Sequence, residues 1–105
     1  MAKILNNSQF YNKLRTSDKL VVMDFFATWC GPCKMLTPIF ESLSKEMSDK
    51  VDFAKLDIDR SLEIAQQYKI VSVPTTIIFK NGREVQGIVG FIPTEQLKSK
   101  IKAHI

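Results

Sequence analysis

The sequence is poor in the residues on which several classes of site depend. Its only thiol and imidazole side chains are those of Cys30, Cys33 and His104. A structural zinc site normally takes four such ligands, so we expect no metal site. A cysteine protease needs a histidine beside its thiol. We expect His104, next to the C-terminus, to lie in a frayed tail instead.

Long apolar runs are also missing. In the first third of the chain the longest run, Leu20 to Met23, is ended by Asp24, and it is far too short to cross a bilayer. The first residues lack the apolar stretch of a secretory signal. We therefore expect a cytoplasmic protein with no membrane partner. A length of 105 residues with 45% hydrophobic side chains fits one globular domain, residues 1–105.

Positive charge is in excess but is not concentrated. The net charge is +4, and the cations are scattered from Lys3 to Lys102. Nucleic-acid-binding proteins usually gather such charge on one face, whereas the densest group here, Lys98, Lys100 and Lys102, alternates sides of a helix. We expect a solvated basic surface and no nucleic-acid partner.

Hydrophobic periodicity predicts alternating strands and helices. Strands are predicted at Ile4-Leu5, 20–27, 51–58, 75–79 and 84–89, the last two joined by the hairpin signal Asn81-Gly82. Helices are predicted after a cap at Ser8, after Cys30, from Asp59 or Ser61, and from Pro93. The apolar face of the second helix is predicted to hold six residues, with a kink at Pro38: Met35, Leu36, Ile39, Phe40, Leu43 and Met47.

This order predicts an α/β fold. Strands that alternate with helices are expected to run parallel, with the hairpin as an antiparallel edge. The result is a central mixed sheet of about five strands, flanked by four helices on both faces. Neither Gly87 to Gly90 nor any other segment forms a dinucleotide or Walker-type loop. We expect no bound cofactor, so electrons must come from another molecule.

The segment Trp29-Cys-Gly-Pro-Cys-Lys34 lies where a buried strand gives way to a helix. A loop of four residues closed by a disulfide would add only about 2 kcal/mol of stability. The two cysteines are therefore better read as a reversible redox couple than as a brace. The first turn of a helix stabilises a thiolate, which makes Cys30 the candidate nucleophile.

The other residues of this segment fit the same chemistry. Cys33 is three residues further on, within bonding reach of Cys30, and we expect it to be the more buried, resolving sulfur. Pro32 stiffens the first turn without losing a needed hydrogen bond. Gly31 leaves the approach to Cys30 open.

Asp24 is an unusual residue in an apolar strand, where burial raises the pKa of a carboxyl group. Only five residues separate it from Cys30, so it could lie beneath the cysteines and accept a proton from Cys33, directly or through water. Lys55 could pair with it, although a lysine facing solvent is equally compatible with the sequence. Val73-Pro74 opens a strand, and an outward-turned Val73 backbone could pair with an extended substrate segment.

These residues together resemble the thioredoxin family over essentially the whole chain. The resemblance is carried by Asp24 to Lys34, Pro38, Lys55 to Asp59, Val73-Pro-Thr, Asn81-Gly82 and Gly90. It implies a protein-disulfide reductase and electron carrier in which Cys30 attacks, Cys33 resolves, Asp24 accepts the proton and Lys55 is its neighbour.

The resemblance also implies a cis Val73-Pro74 bond and a docking surface made of six residues: Trp29, Gly31, Pro32, Val73, Pro74 and Gly90. The implied partners are disulfide-containing proteins and a reductase, often an NADPH-dependent flavoprotein, that reduces the chain again. We expect the chain to be a monomer.

One departure from the family pattern is Phe26, where many bacterial members carry a second tryptophan; we expect altered packing and fluorescence but intact chemistry. Two other functions stay open. One is a non-catalytic interaction module of the same fold, and the other is a disulfide oxidase or isomerase. The Gly31-Pro32 pair favours a reductant, because oxidising relatives tend to have a histidine or another residue there.

Overall fold

Helices and strands follow one another in the predicted order. The structure is a computed structural model that describes residues 2–105. It contains five strands and four helices, in the order β1 Lys3–Ile4, α1 Asn7–Thr16, β2 Leu20–Phe26, α2 Gly31–Glu46, β3 Val51–Asp57, α3 Leu62–Gln67, β4 Thr75–Lys80, β5 Arg83–Val89 and α4 Thr94–Lys102. None of the helices in this described range is long and apolar enough to cross a membrane.

The sheet is mixed, with the strand order β1-β3-β2-β4-β5. β1 and β2 both run parallel to β3, whereas β4 runs antiparallel to β2 and to β5. The prediction that every strand alternating with a helix runs parallel is therefore wrong for β4.

Helix length explains the direction of β4. α2 has 16 residues, or about 24 Å, enough to carry the chain back along the sheet before β3 begins. α3 has 6 residues, or about 9 Å, which is much shorter than a strand of seven residues. The chain therefore stays at the end of the sheet where β3 finishes, and Thr75 starts β4 opposite Phe25 near the end of β2.

Each face of the sheet carries two helices, because successive side chains of a strand point to opposite faces. One core joins α2 and α4 to the sheet through residues such as Val22, Ile78 and Leu97. The other joins α1 and α3 to it through residues such as Met23, Ile77 and Ile64. The predicted arrangement of four helices over both faces is confirmed.

Two predicted details of the helices are corrected. α1 is capped by Asn6 instead of Ser8: the Asn6 side chain accepts from Gln9 N, and Gln9 accepts from Asn6 N, a reciprocal capping box. Met35 is 61% exposed, because it lies at the edge of the buried stripe formed by Leu36 and Phe40. α2 continues through Pro38 to Glu46 without a break.

The C-terminal segment is held to the sheet. His104 Nε2 lies 2.8 Å from Gln86 Oε1, and Lys80 Nζ donates to the His104 carbonyl at 3.1 Å. The predicted frayed tail is therefore wrong, since β5 and the end of β4 supply polar partners that the sequence does not reveal.

The predicted hairpin is present, with φ of 54° at Asn81 and 79° at Gly82, values that fit a type I′ turn.

Candidate functional site

The two cysteines lie where the chain passes from β2 to the first turn of α2. Cys30 is the N-cap residue of α2, and the Cys33 amide donates to Cys30 Sγ at 3.1 Å. The cysteines form a disulfide with their Cα atoms 5.3 Å apart. The first amides of a helix have no partners within it and carry the positive end of the dipole. This position therefore stabilises negative charge on Cys30 Sγ once the disulfide is opened.

The two cysteines are equally buried. Cys30 and Cys33 are each 4% exposed, so the expectation that Cys33 is the more buried is not met in the disulfide form. Both pack with Phe26, the last residue of β2, with Ala27 just after it and with the half-buried Val73. What distinguishes the two is their place on the helix: Cys30 caps it, whereas Cys33 lies inside its first turn.

The segment before β4 lies directly beside the disulfide. The Val73-Pro74 peptide is cis, as the family resemblance implied. The Val73 carbonyl oxygen is 3.6 Å from Cys30 Sγ, and the Gly90 amide donates to the Pro74 carbonyl at 2.8 Å. Gly90 has a φ of +90°, a conformation that glycine adopts without steric cost. The fold thus brings Val73, Pro74 and Gly90 to the cysteines.

Trp29, the residue before Cys30, is 68% exposed. Its indole Nε1 donates to Asp59 Oδ2 at 2.9 Å. The sequence gives no signal for this hydrogen bond, since Asp59 is predicted there only as a possible helix start and as the end of a segment that resembles the family. At Gly31 an added Cβ would meet no atom within 4 Å, so the approach to Cys30 is open there.

Asp24 is fully buried on the face of the sheet that α2 covers, and neither carboxylate oxygen has a hydrogen-bond partner among the described residues. Burial raises the pKa of Asp24 from 3.8 to about 6, and the positive charge of Lys55 opposes part of that rise. A carboxyl group with such a pKa changes its protonation near neutral pH.

Lys55 is the register partner of Asp24 on β3, but its ammonium group does not form a salt bridge with the carboxylate. Lys55 Nζ instead lies 3.4 Å from Thr37 Oγ1 and 4.8 Å from the centre of the Phe26 ring. Phe26 thus provides the aromatic face over which the lysine packs. The interaction of Lys55 with Asp24 is electrostatic and acts across a gap.

No group of three or more His, Cys, Asp or Glu side chains within residues 2–105 is arranged to hold a metal ion. The Cys30–Cys33 disulfide at the start of α2 has the two parts of reversible thiol–disulfide exchange, a sulfur at the start of a helix and a second sulfur within bonding distance.

Comparisons with known proteins agree with this chemistry. The family model described as Thioredoxin matches residues 1–103. The chain is 43% identical to a thioredoxin of Staphylococcus epidermidis over 101 residues, or 96% of this chain and 95% of that protein. It is also 43% identical to a thioredoxin of Bacillus subtilis over 90 residues, or 86% of each chain. With the Cys30–Cys33 disulfide and the mixed five-stranded sheet, these matches show that the chain belongs to the thioredoxin family of thiol–disulfide oxidoreductases.

Proposed function

We propose that the chain is a protein-disulfide reductase in which Cys30 is the attacking residue. The Cys30 thiolate attacks one sulfur of a substrate disulfide, forms a mixed disulfide and releases the other substrate sulfur as a thiolate. The Cys33 thiolate then attacks Cys30 Sγ and releases the second substrate sulfur. Two electrons pass to the substrate, and the Cys30–Cys33 disulfide forms. The observation that carries this assignment is Cys30 Sγ as the acceptor at the start of α2.

Asp24 is proposed to accept the proton that Cys33 loses before its attack. The support is the position of Asp24 on the sheet face covered by α2 and a pKa raised to about 6 by burial. Such a carboxyl group is mostly ionised at neutral pH yet binds a proton readily. Lys55, on the neighbouring strand, would keep the carboxylate ionised when Cys33 needs it.

The docking surface is proposed to be the set of residues around the disulfide: Trp29, Gly31, Pro32, Val73, Pro74 and Gly90. Its support is that Trp29 is exposed, Gly31 has open space and the Val73 carbonyl lies beside Cys30. An extended segment of the substrate would lie between Trp29 and Val73, with its disulfide over Cys30. Gly31 and Pro32 would set the redox properties of the pair.

The partners and the cellular setting are proposed from the chain's membership of the family. The chain would act as one domain over residues 1–105, as a monomer in the cytoplasm. It would be returned to the dithiol form by a flavoprotein reductase that uses NADPH, because the proposed reaction needs two electrons for every substrate disulfide. Size-exclusion chromatography of the purified protein at micromolar concentration tests the monomer.

Cysteine variants test the order of attack. In an insulin-reduction assay with dithiothreitol, Cys30→Ser and Cys33→Ser are both expected to lose turnover. Only Cys33→Ser, which keeps the attacking sulfur, is expected to accumulate a mixed disulfide with the substrate on a non-reducing gel. A mixed disulfide formed by Cys30→Ser instead would reverse the assignment of the two roles.

A glutathione buffer tests the direction of electron flow. A reductase has a lower reduction potential than glutathione, so the Cys30–Cys33 pair is expected to equilibrate mainly to the disulfide. An oxidase would remain mainly as the dithiol under the same conditions. Full biological rescue by a protein with both cysteines replaced by serine would instead indicate an interaction module.

A further inference from the structure

A row of three polar side chains crosses the sheet beneath α2. Asp24 on β2 is the register partner of Lys55 on β3 and of Thr76 on β4. Residues directly opposite each other on neighbouring strands point to the same face, so their side chains are neighbours. The face is the one that α2 covers, because Val22 and Ile78, two residues away from Asp24 and Thr76, belong to the core packed against α2.

Thr76 is the member of this row that the proposed mechanism does not use. It is fully buried, and its hydroxyl oxygen has no hydrogen-bond partner within residues 2–105. Together with both oxygens of Asp24 it makes up the set of buried side-chain oxygen and nitrogen atoms that are unpaired there. The neighbouring Thr75 differs, since its hydroxyl donates to the Ser72 carbonyl at 2.7 Å.

Three unpaired polar atoms on directly opposed residues are unusual, because buried polar groups are nearly always hydrogen-bonded. A carboxylate can only accept hydrogen bonds, whereas a threonine hydroxyl can donate one and accept another. Rotation about the Cα–Cβ bond moves the hydroxyl of Thr76 between staggered positions. Thr76 is thus placed to supply the donor that an ionised Asp24 lacks.

We propose that Thr76 is a positioning residue for Asp24, whose hydroxyl donates a hydrogen bond to the carboxylate when Asp24 is ionised. A hydrogen bond to an ionised group is roughly twice as strong as one between neutral groups. The hydroxyl therefore favours the ionised carboxylate over the protonated acid. This inference deepens the proposed role of Asp24 and rests on it for its functional meaning.

Few charged groups face Asp24, so a hydrogen bond from Thr76 would change the pKa of its carboxyl group measurably. β3 presents the cation Lys55, whose charge lowers the pKa of the Asp24 carboxyl group, and, two residues further on, Asp57, which contacts Arg60. α2 presents the cysteines, which are joined in the disulfide. The side chains of β2 beside Asp24 are apolar, and on β5 the register partner of Thr76 is the apolar Ile88. A hydrogen bond from β4 would therefore act in the same direction as the charge of Lys55, which also favours the ionised carboxylate.

Thr76→Val tests the proposal, since it removes the hydroxyl and nearly keeps the shape. The disulfide form is titrated with carbon-13-labelled aspartate, and the carboxyl shift of Asp24 is followed by NMR, because cysteines in a disulfide do not titrate. Loss of one charge-assisted hydrogen bond is expected to raise the pKa of Asp24 by about one unit, or tenfold in proton affinity. A pKa in Thr76→Val equal to or below that of the unchanged protein would overturn the proposal.

Two further variants separate the hydroxyl from packing. Thr76→Ser keeps the donor and loses a methyl group. The pKa of Asp24 in this variant is therefore expected to stay within a few tenths of a pH unit of its value in the unchanged protein. Thr75→Val removes a neighbouring hydroxyl that already donates to the Ser72 carbonyl. This variant is expected to leave the pKa of Asp24 unchanged. A Thr76→Ser protein that titrates like Thr76→Val would also contradict the proposal.

A measurement on the unchanged protein covers the case in which Thr76→Val fails to fold. The hydroxyl proton of Thr76 is expected to exchange slowly with solvent and to shift with the same pH midpoint as the Asp24 carboxyl group. A hydroxyl resonance that does not respond to that midpoint would overturn the inference.

Activity distinguishes this inference from the proposed function. If Asp24 accepts the proton, the acidic limb of the pH–rate profile is expected to move up by about one pH unit in Thr76→Val, following the carboxyl pKa. If the NMR pKa rises but the rate profile does not move, the proposed role of Asp24 fails while the hydrogen bond stands. If the pKa of Asp24 measured by NMR does not rise in Thr76→Val, the proposed hydrogen bond is contradicted, whatever the rate profile shows.

Discussion

Among single residues, Asp24 has the greatest conflict between stability and chemistry. A buried carboxyl group without hydrogen-bond partners is costly to ionise. An apolar side chain at the same position would fill the core without that cost. The pKa of about 6 is the physical result of that conflict. The same burial that penalises the folded state at neutral pH is what allows the group to take up a proton there.

Asp24→Asn is expected to remove a pH-dependent loss of stability. The pKa of Asp24 in the folded protein, about 6, lies above the ordinary value of 3.8, so the folded state binds the proton more tightly than the unfolded state. The stability linked to this proton is present below pH 3.8 and is lost as the pH rises through about 6. The loss amounts to about 3 kcal/mol.

Urea unfolding at pH 4 and pH 8 measures this effect. At pH 8 the Asp24→Asn protein is expected to be the more stable by about 3 kcal/mol, with a much smaller difference at pH 4. Asp49→Asn, a change at an exposed position, keeps Asp24 and is expected to follow the unchanged protein. A stability difference for Asp24→Asn that is the same at both pH values would show that the effect is packing and not titration.

At the level of elements, the turn between β4 and β5 determines whether the sheet edge forms. Gly82 has a φ of +79°, and a Cβ at this position would lie 3.3 Å from the Leu14 carbonyl oxygen. The backbone conformation therefore favours glycine, and the contact with α1 leaves little room for a larger residue. The Asn81-Gly82 pair could be recognised in the sequence because the hairpin depends on local conformation alone.

Gly82→Ala is expected to lower the free energy of unfolding by about 1–2 kcal/mol, because alanine is strained in the left-handed region. Thermal or urea unfolding followed by circular dichroism checks the value. Gly31→Ala is the matched control, since a Cβ there meets nothing within 4 Å, and a change within about 0.5 kcal/mol is expected. Equal losses in the two variants would contradict the role of the turn.

Sequence reasoning succeeded where local patterns decide the structure and failed where distant contacts do. The alternating order, the two cysteines and the buried Asp24 all follow from neighbouring residues. The direction of β4 depends on how far α3 carries the chain. The Trp29–Asp59 hydrogen bond joins residues 30 positions apart, and the pairing of Asp24 with Thr76 requires strand register. None of these three has a signal in any short segment.

At the scale of the whole molecule, two cores of different character support one sheet. The core under α1 and α3 is rich in aromatic rings, and the fully buried Phe10 is at its centre. Four rings have their centres within 6.3 Å of that of Phe10, namely Tyr11, Phe25, Tyr68 and Phe79. The opposite core lies under α2 and α4, and the cysteines form a separate small cluster with Phe26 and Ala27. The aromatic core therefore supports the sheet on the face opposite to α2.

Phe10→Ala is expected to cost about 3–5 kcal/mol of stability, since it leaves a cavity among four rings. Val71→Ala is the control, because Val71 is 95% exposed and is expected to change stability by less than about 0.5 kcal/mol. Chemical unfolding gives both values. A Phe10→Ala protein as stable as Val71→Ala would show that α1 contributes little to the fold.

The indole bonded to Asp59 has a practical consequence. Trp29 is the sole tryptophan of the chain, and it comes immediately before Cys30. Its emission therefore originates at one place, with no second indole to obscure it. We expect this emission to change when the neighbouring sulfur–sulfur bond opens or closes, so that stopped-flow fluorescence would time each half of the proposed cycle without a dye or an engineered label.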